Sequence, residues 1–89
     1  MRVITIDCAG IQDKAGFHRT VSQALAFPHW YGNNADALHD CLTEISSDTR
    51  IQFVNWHLPE EALGPCAAAL RRAMTHAAQE NPHIQIEFE

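Results

Sequence analysis

The stretch Phe27-Pro28-His29-Trp30-Tyr31-Gly32-Asn33-Asn34-Ala35-Asp36-Ala37-Leu38-His39-Asp40-Cys41-Leu42-Thr43-Glu44 decides how this chain is read. Its first half is an aromatic-rich loop. Pro28 pushes Phe27 toward an extended conformation, so a helix running into it must stop there. Its second half carries Leu38, Cys41 and Leu42, continued by Ile45, as an apolar stripe at helical spacing. Asn33 or Asn34 stands where a side chain can cap that helix.

Reading outward, Val3-Ile4-Thr5-Ile6 is β-branched throughout and bounded by Asp7 and Gly10, the pattern of a buried first strand. Asp13 can cap a helix whose apolar positions are Phe17, Val21, Ala24 and Leu25. Ser46-Ser47-Asp48 breaks the chain after the second helix, and Arg50 to Trp56 alternates as a second strand. Pro59-Glu60-Glu61 has the proline and acidic bias of a helix start, and Gly64-Pro65 interrupts that helix early. A long helix follows, with Cys66, Leu70, Ala73, Met74 and Ala77 on one face and Arg71 and Arg72 toward water. Asn81-Pro82 stops it, and Ile84-Gln85-Ile86-Glu87-Phe88 is a last strand with its apolar residues on one side. Strands separated by helical segments imply crossover connections. The expectation is an α/β fold: a three-stranded, mostly parallel sheet packed with about four helices, in one domain over residues 1–89. The order of the strands is left open.

Bulk properties narrow the function. A chain of 89 residues builds one modest core, with little room for an enclosed cavity. A formal charge of -5 opposes direct binding of nucleic acid and favours a cationic partner. The three cysteines fit no CxxC pattern, and their odd number suits a reducing compartment. No apolar run approaches the ~20 residues of a membrane helix. A cytoplasmic location without membrane contact is expected. The six histidines form no HxxxH or HExxH arrangement, so neither metal nor cofactor is expected.

Asp36, Asp40 and Glu44 lie four residues apart and share one ridge of the second helix. Asp36 is favoured by the helix dipole, whereas Asp40 and Glu44 gain little and repel along the ridge. A cationic surface docking there would offset that cost; a solvated polar face is the plainer reading. Trp30 and Tyr31 stand beside the ridge. Each can anchor the loop to the core or serve as a rigid interface aromatic. Gly32 either turns the loop or lets a partner approach. An enzyme is disfavoured: His39 and Asp40 are adjacent, about 100° apart on a helix, and Cys41 belongs to the apolar stripe.

The segment Tyr31-Gly32-x-Asn34-x-Asp36-Ala37-Leu38-x-Asp40-Cys41-Leu42-Thr43 resembles the signature of the barstar family, intracellular inhibitors of the bacterial ribonuclease barnase. The resemblance extends to the chain length, the early Val-Ile strand, the long penultimate helix and the short terminal strand. It implies a three-stranded parallel sheet with helices and no catalytic activity. It implies that the second helix and its preceding loop plug a ribonuclease active site, with Asp40 in the place of a substrate phosphate and Asp36 as a neighbouring contact. Trp30, Tyr31, Gly32, Asn34, His39, Thr43 and Glu44 complete that surface, and His76 and Glu80 approach from the long helix. The partner implied is a barnase-like ribonuclease or toxin nuclease, bound by a monomer in a one-to-one complex. Departures from the family pattern are informative: Trp30 replaces a tyrosine, His39 a tryptophan, and His76 the first of two glutamates. An interaction module of the same fold with a non-nuclease cationic partner is the alternative.

Overall fold

The computed structural model describes residues 1–89 in the order β1 (Arg2–Asp7), α1 (Lys14–Leu25), α2 (Ala35–Thr43), β2 (Thr49–Val54), α3 (His57–Leu63), α4 (Pro65–Glu80) and β3 (Ile84–Phe88). The strands form one wholly parallel sheet in the order β1-β2-β3, so each pair is joined by a two-helix crossover. The middle strand is β2. Thr49, Ile51 and Phe53 on it are almost fully buried.

Alternation along the strands separates two faces. Ile4, Ile51 and Ile86 lie in register on one side, as do Ile6, Phe53 and Phe88, and this side receives the helices. The other face is polar and open. Thr5 Oγ1 donates to Gln52 Oε1 at 3.2 Å, Gln52 Nε2 donates to Glu87 Oε2 at 3.2 Å, and Arg50 approaches Glu87 at 3.6 Å. That ladder spans all three strands and gives the uncovered face a surface compatible with water.

Several expectations need correction. β1 is an edge strand, not a buried one: Val3 is 55 % exposed and Ile6 is its only buried residue. The second strand stops at Val54, because Asn55 turns at φ 59° and Trp56 enters the core at the start of α3. Consequently α3 begins at His57, two residues before Pro59, which sits in the first turn where its missing N–H costs nothing. Ala24 is exposed, and His18, one residue from Phe17, is buried instead. Arg71 faces outward, yet its guanidinium lies 4.4 Å from the centre of the Phe88 ring.

The core joins two groups. Phe53 stacks on Phe88 with centroids 5.4 Å apart, and Trp56 meets Phe53, Phe88 and Phe17 edge-on. Leu38, Leu42, Leu70, Met74 and Ala77 are buried where α2 and α4 pack together. Asn81 locks this second group. Its buried Nδ2 donates to both Leu42 O and Ile45 O at 2.9 Å, and its Oδ1 accepts from His83 N at 3.0 Å. One amide therefore satisfies Ile45 O, adds a second donor to Leu42 O, which already accepts from Ile45 N at 3.3 Å, and orients the entry into β3. Asn81→Ala would leave Ile45 O and His83 N without that partner, and its expected cost is about 2 to 4 kcal/mol in urea unfolding. A loss under about 0.5 kcal/mol would show that water replaces the amide.

Candidate functional site

The loop 27–34 and α2 are positioned from below by one buried contact. Tyr31 is 8 % exposed, and its hydroxyl lies 2.7 Å from His18 Nδ1 inside the α1 face. The Tyr31 ring also packs against Phe27, with centroids 5.0 Å apart. Trp30 points the other way and is 65 % exposed. The two aromatics thus divide the roles left open by their sequence: Tyr31 anchors the loop and Trp30 is presented by it.

Asn34, not Asn33, caps α2: its Oδ1 accepts from Ala37 N at 2.8 Å. The same side chain donates from Nδ2 to Gly32 O at 3.1 Å, so the cap also fixes the turn. Asn33 occupies the left-handed region at φ 52°. At Gly32 the constraint is space: a Cβ there would stand 3.2 Å from Asn34 Nδ2 and 3.3 Å from Ala37 Cβ. Gly32 lets the loop lie close against the first turn of α2.

Leu38, Cys41 and Leu42 turn α2 into the core, which leaves Asp36, Asp40 and Glu44 exposed on the outer side. Asp36 lies in the first turn, and Glu44 is the C-cap residue. Thr43 Oγ1 donates to Asp40 O at 2.9 Å, so its hydroxyl is spent on the helix itself. His39 is half-buried between α2 and α4. Its Nε2 lies 2.9 Å from Glu80 Oε2, and its Nδ1 lies 3.6 Å from Asp40 Oδ1. His76 is exposed and lines a groove with Trp56, Glu60, Arg71 and Arg72, on the flank of α4 toward α3.

The structure therefore brings Trp30, Gly32, Asn34, Asp36, Asp40 and Glu44 onto the loop and outer side of α2, with His39 and Glu80 at the α2–α4 boundary. Tyr31 lies beneath, and His76 stands apart in the groove. The residue that sequence reading missed is His18. Its signal was available, since His18, Val21 and Leu25 follow helical spacing as well as Phe17 does.

Burial, and secondarily the charge of Lys14, lowers the His18 pKa from its ordinary 6.5. Its Nε2 has no partner, so a protonated ring would bury a charged N–H with no acceptor. Burial pushes the Tyr31 hydroxyl pKa up strongly, and the two groups meet as neutral partners. Cys41 is raised by burial, then by Glu44 and Asp40, which leaves it a core thiol.

The outer side of α2 thus carries an exposed carboxylate ridge, and the loop before it presents an exposed aromatic. Comparison with known proteins narrows the class. The family model described as "Barstar (barnase inhibitor)" matches residues 1–89. The "Putative ribonuclease inhibitor YrdF" of Bacillus subtilis (strain 168) is 31 % identical over 81 residues, covering 90 % of this chain and 89 % of that protein. The chain belongs to the barstar family. It stands with ribonuclease inhibitors and not with enzymes.

Two expectations follow from the site. Because the folded state holds His18 neutral while the unfolded chain titrates near 6.5, the unfolded state binds more protons in acid. The His18 contribution is complete above about 6.5 and is lost as pH falls through its lowered native pKa. Urea midpoints should fall over that window, and His18→Gln should remove that part of the slope; an unchanged slope would contradict the assignment. Cys8 and Cys41 are buried and Cys66 is half-exposed, and burial raises Cys8 to about 11. A thiol reagent at neutral pH should modify Cys66 first, with the other two following only on unfolding.

Proposed function

We propose that this protein inhibits a basic, barnase-type secreted ribonuclease by inserting the loop 27–34 and α2 into its active site. A site that binds the RNA backbone must present cations for phosphates. The carboxylate of Asp40 stands in for one of those phosphates, Asp36 adds a neighbouring acidic contact, and Trp30 covers the charge pairs with a rigid ring. The observation that carries the reading is the pairing of an exposed Trp30 with an exposed Asp40 on one rigid frame. Preorganisation matters because the loop and helix are already held by His18, Tyr31 and Asn34, so little ordering is left to pay on binding. Family membership and the ribonuclease-inhibitor relative support the partner class. A cytoplasmic protein acting as a monomer, one copy per nuclease, belongs to the same proposal. Its biological task is to guard the cell against its own exported nuclease or against a competitor's toxin.

The test is a titration of RNA cleavage by a panel of small basic ribonucleases, barnase included, at matched low salt. Stoichiometric loss of cleavage is expected with the wild-type protein. Asp40→Ala should weaken it by roughly 2 to 5 kcal/mol, because cationic enzyme groups would be buried without a partner. Trp30→Ala should weaken inhibition while changing stability by less than about 0.5 kcal/mol, as befits an exposed side chain. Inhibition that ignores Asp40 would contradict the phosphate-mimic mechanism. A folded wild-type protein that inhibits no member would favour a non-nuclease cationic partner.

A further inference from the structure

The edge of the docking surface contributed by α4 is electrostatically different from the part contributed by α2. Glu80 is 61 % exposed, yet its Oε2 already faces His39 Nε2 at 2.9 Å. Asp40 is 77 % exposed, and its Oδ1 lies 3.6 Å from the other nitrogen of the same ring, beyond hydrogen-bond distance. The imidazole therefore already engages one oxygen of Glu80, for which an incoming ammonium or guanidinium would have to compete. Asp40 is left open. One turn earlier on α4, His76 faces the α3–α4 groove and adds no carboxylate to this edge. The accessible carboxylates on this side are consequently gathered on α2, at Asp36, Asp40 and Glu44.

We infer that His39 is a specificity-determining residue: by engaging Glu80, it withdraws that carboxylate from the docking surface. The surface then fits a ribonuclease whose cationic groups cluster over α2 and which presents no cation at the C-terminal end of α4. This rests on the ribonuclease-inhibitor reading above. A partner carrying a lysine or arginine at that edge would have to displace the imidazole or share an occupied carboxylate. It gains little from an exposed carboxylate that already faces a hydrogen-bonding neighbour.

A double-mutant cycle tests the inference, with the wild-type, Glu80→Gln, His39→Ala and doubly substituted proteins titrated against the same ribonuclease panel. Asp40→Ala runs alongside, and thermal unfolding confirms that each variant is folded. Glu80→Gln alone should alter inhibition by less than about twofold, because Glu80 is withdrawn. His39→Ala should tighten inhibition of at least one member by about fivefold or more, and adding Glu80→Gln should cancel that gain. A large loss from Glu80→Gln in the wild-type background would overturn the inference, as would His39→Ala giving no gain on any member or a gain that survives Glu80→Gln. Either result, with inhibition still dependent on Asp40, leaves the inhibitor reading standing. Absence of inhibition by the folded wild-type protein overturns that reading and this inference together.

Discussion

Asn81 is the constraint on which the arrangement of α2 depends. α2 is a short crossover helix, and nothing in its own sequence fixes where its C-terminal end points. The buried amide binds the carbonyls of Leu42 and Ile45 while its oxygen sets the start of β3. Packing between α2 and α4 supplies the larger, non-directional energy of burying Leu38, Leu42, Leu70 and Met74. Directionality comes from the amide. Together they hold an acidic ridge against its own charge repulsion, a small cost of a few tenths of a kcal/mol per pair.

The second constraint acts at the other end of the helix. His18 and Tyr31 share a buried contact in which burial favours the neutral form of each group, and this draws one aromatic of the loop inward. Its neighbour Trp30 is thereby turned outward. Asn34 links the turn to the helix through two hydrogen bonds, and Gly32 supplies the space for the close approach. The presented surface is thus a consequence of what is buried beneath it. On the open face of the sheet, Thr5, Gln52, Glu87 and Arg50 instead form a ladder across the three strands.

The succession of strands and helices along the chain, though not the order of strands in the sheet, was legible because apolar periodicity and the punctuation at Asp13, Asn33-Asn34, Gly64-Pro65 and Asn81-Pro82 report local structure. The aromatic loop and the acidic ridge beside it were legible from composition and from the family-like run between Tyr31 and Thr43. What escaped was long-range. A β-branched run such as Val3 to Ile6 looks the same on an edge as in a centre, and only the pairing order tells them apart. Asn81 read as a helix stop, which it is, but its contacts lie 36 and 39 residues away. His18 fits the helical stripe, but histidine in such a position is more often left to water, so its burial shows only in the fold. The proximity of His39 to Glu80 joins two helices and could not be read from either one.

The central claim is that the loop and the outer side of α2 form the contact surface for a ribonuclease. Amide hydrogen exchange of the protein, free and bound to a ribonuclease that it inhibits, tests this most directly. The account predicts new protection concentrated between Trp30 and Glu44, with the open sheet face around Thr5, Gln52 and Gln85 unchanged. Protection centred on the sheet face or on the α3–α4 groove, with loop 27–34 and α2 unaffected, would contradict it.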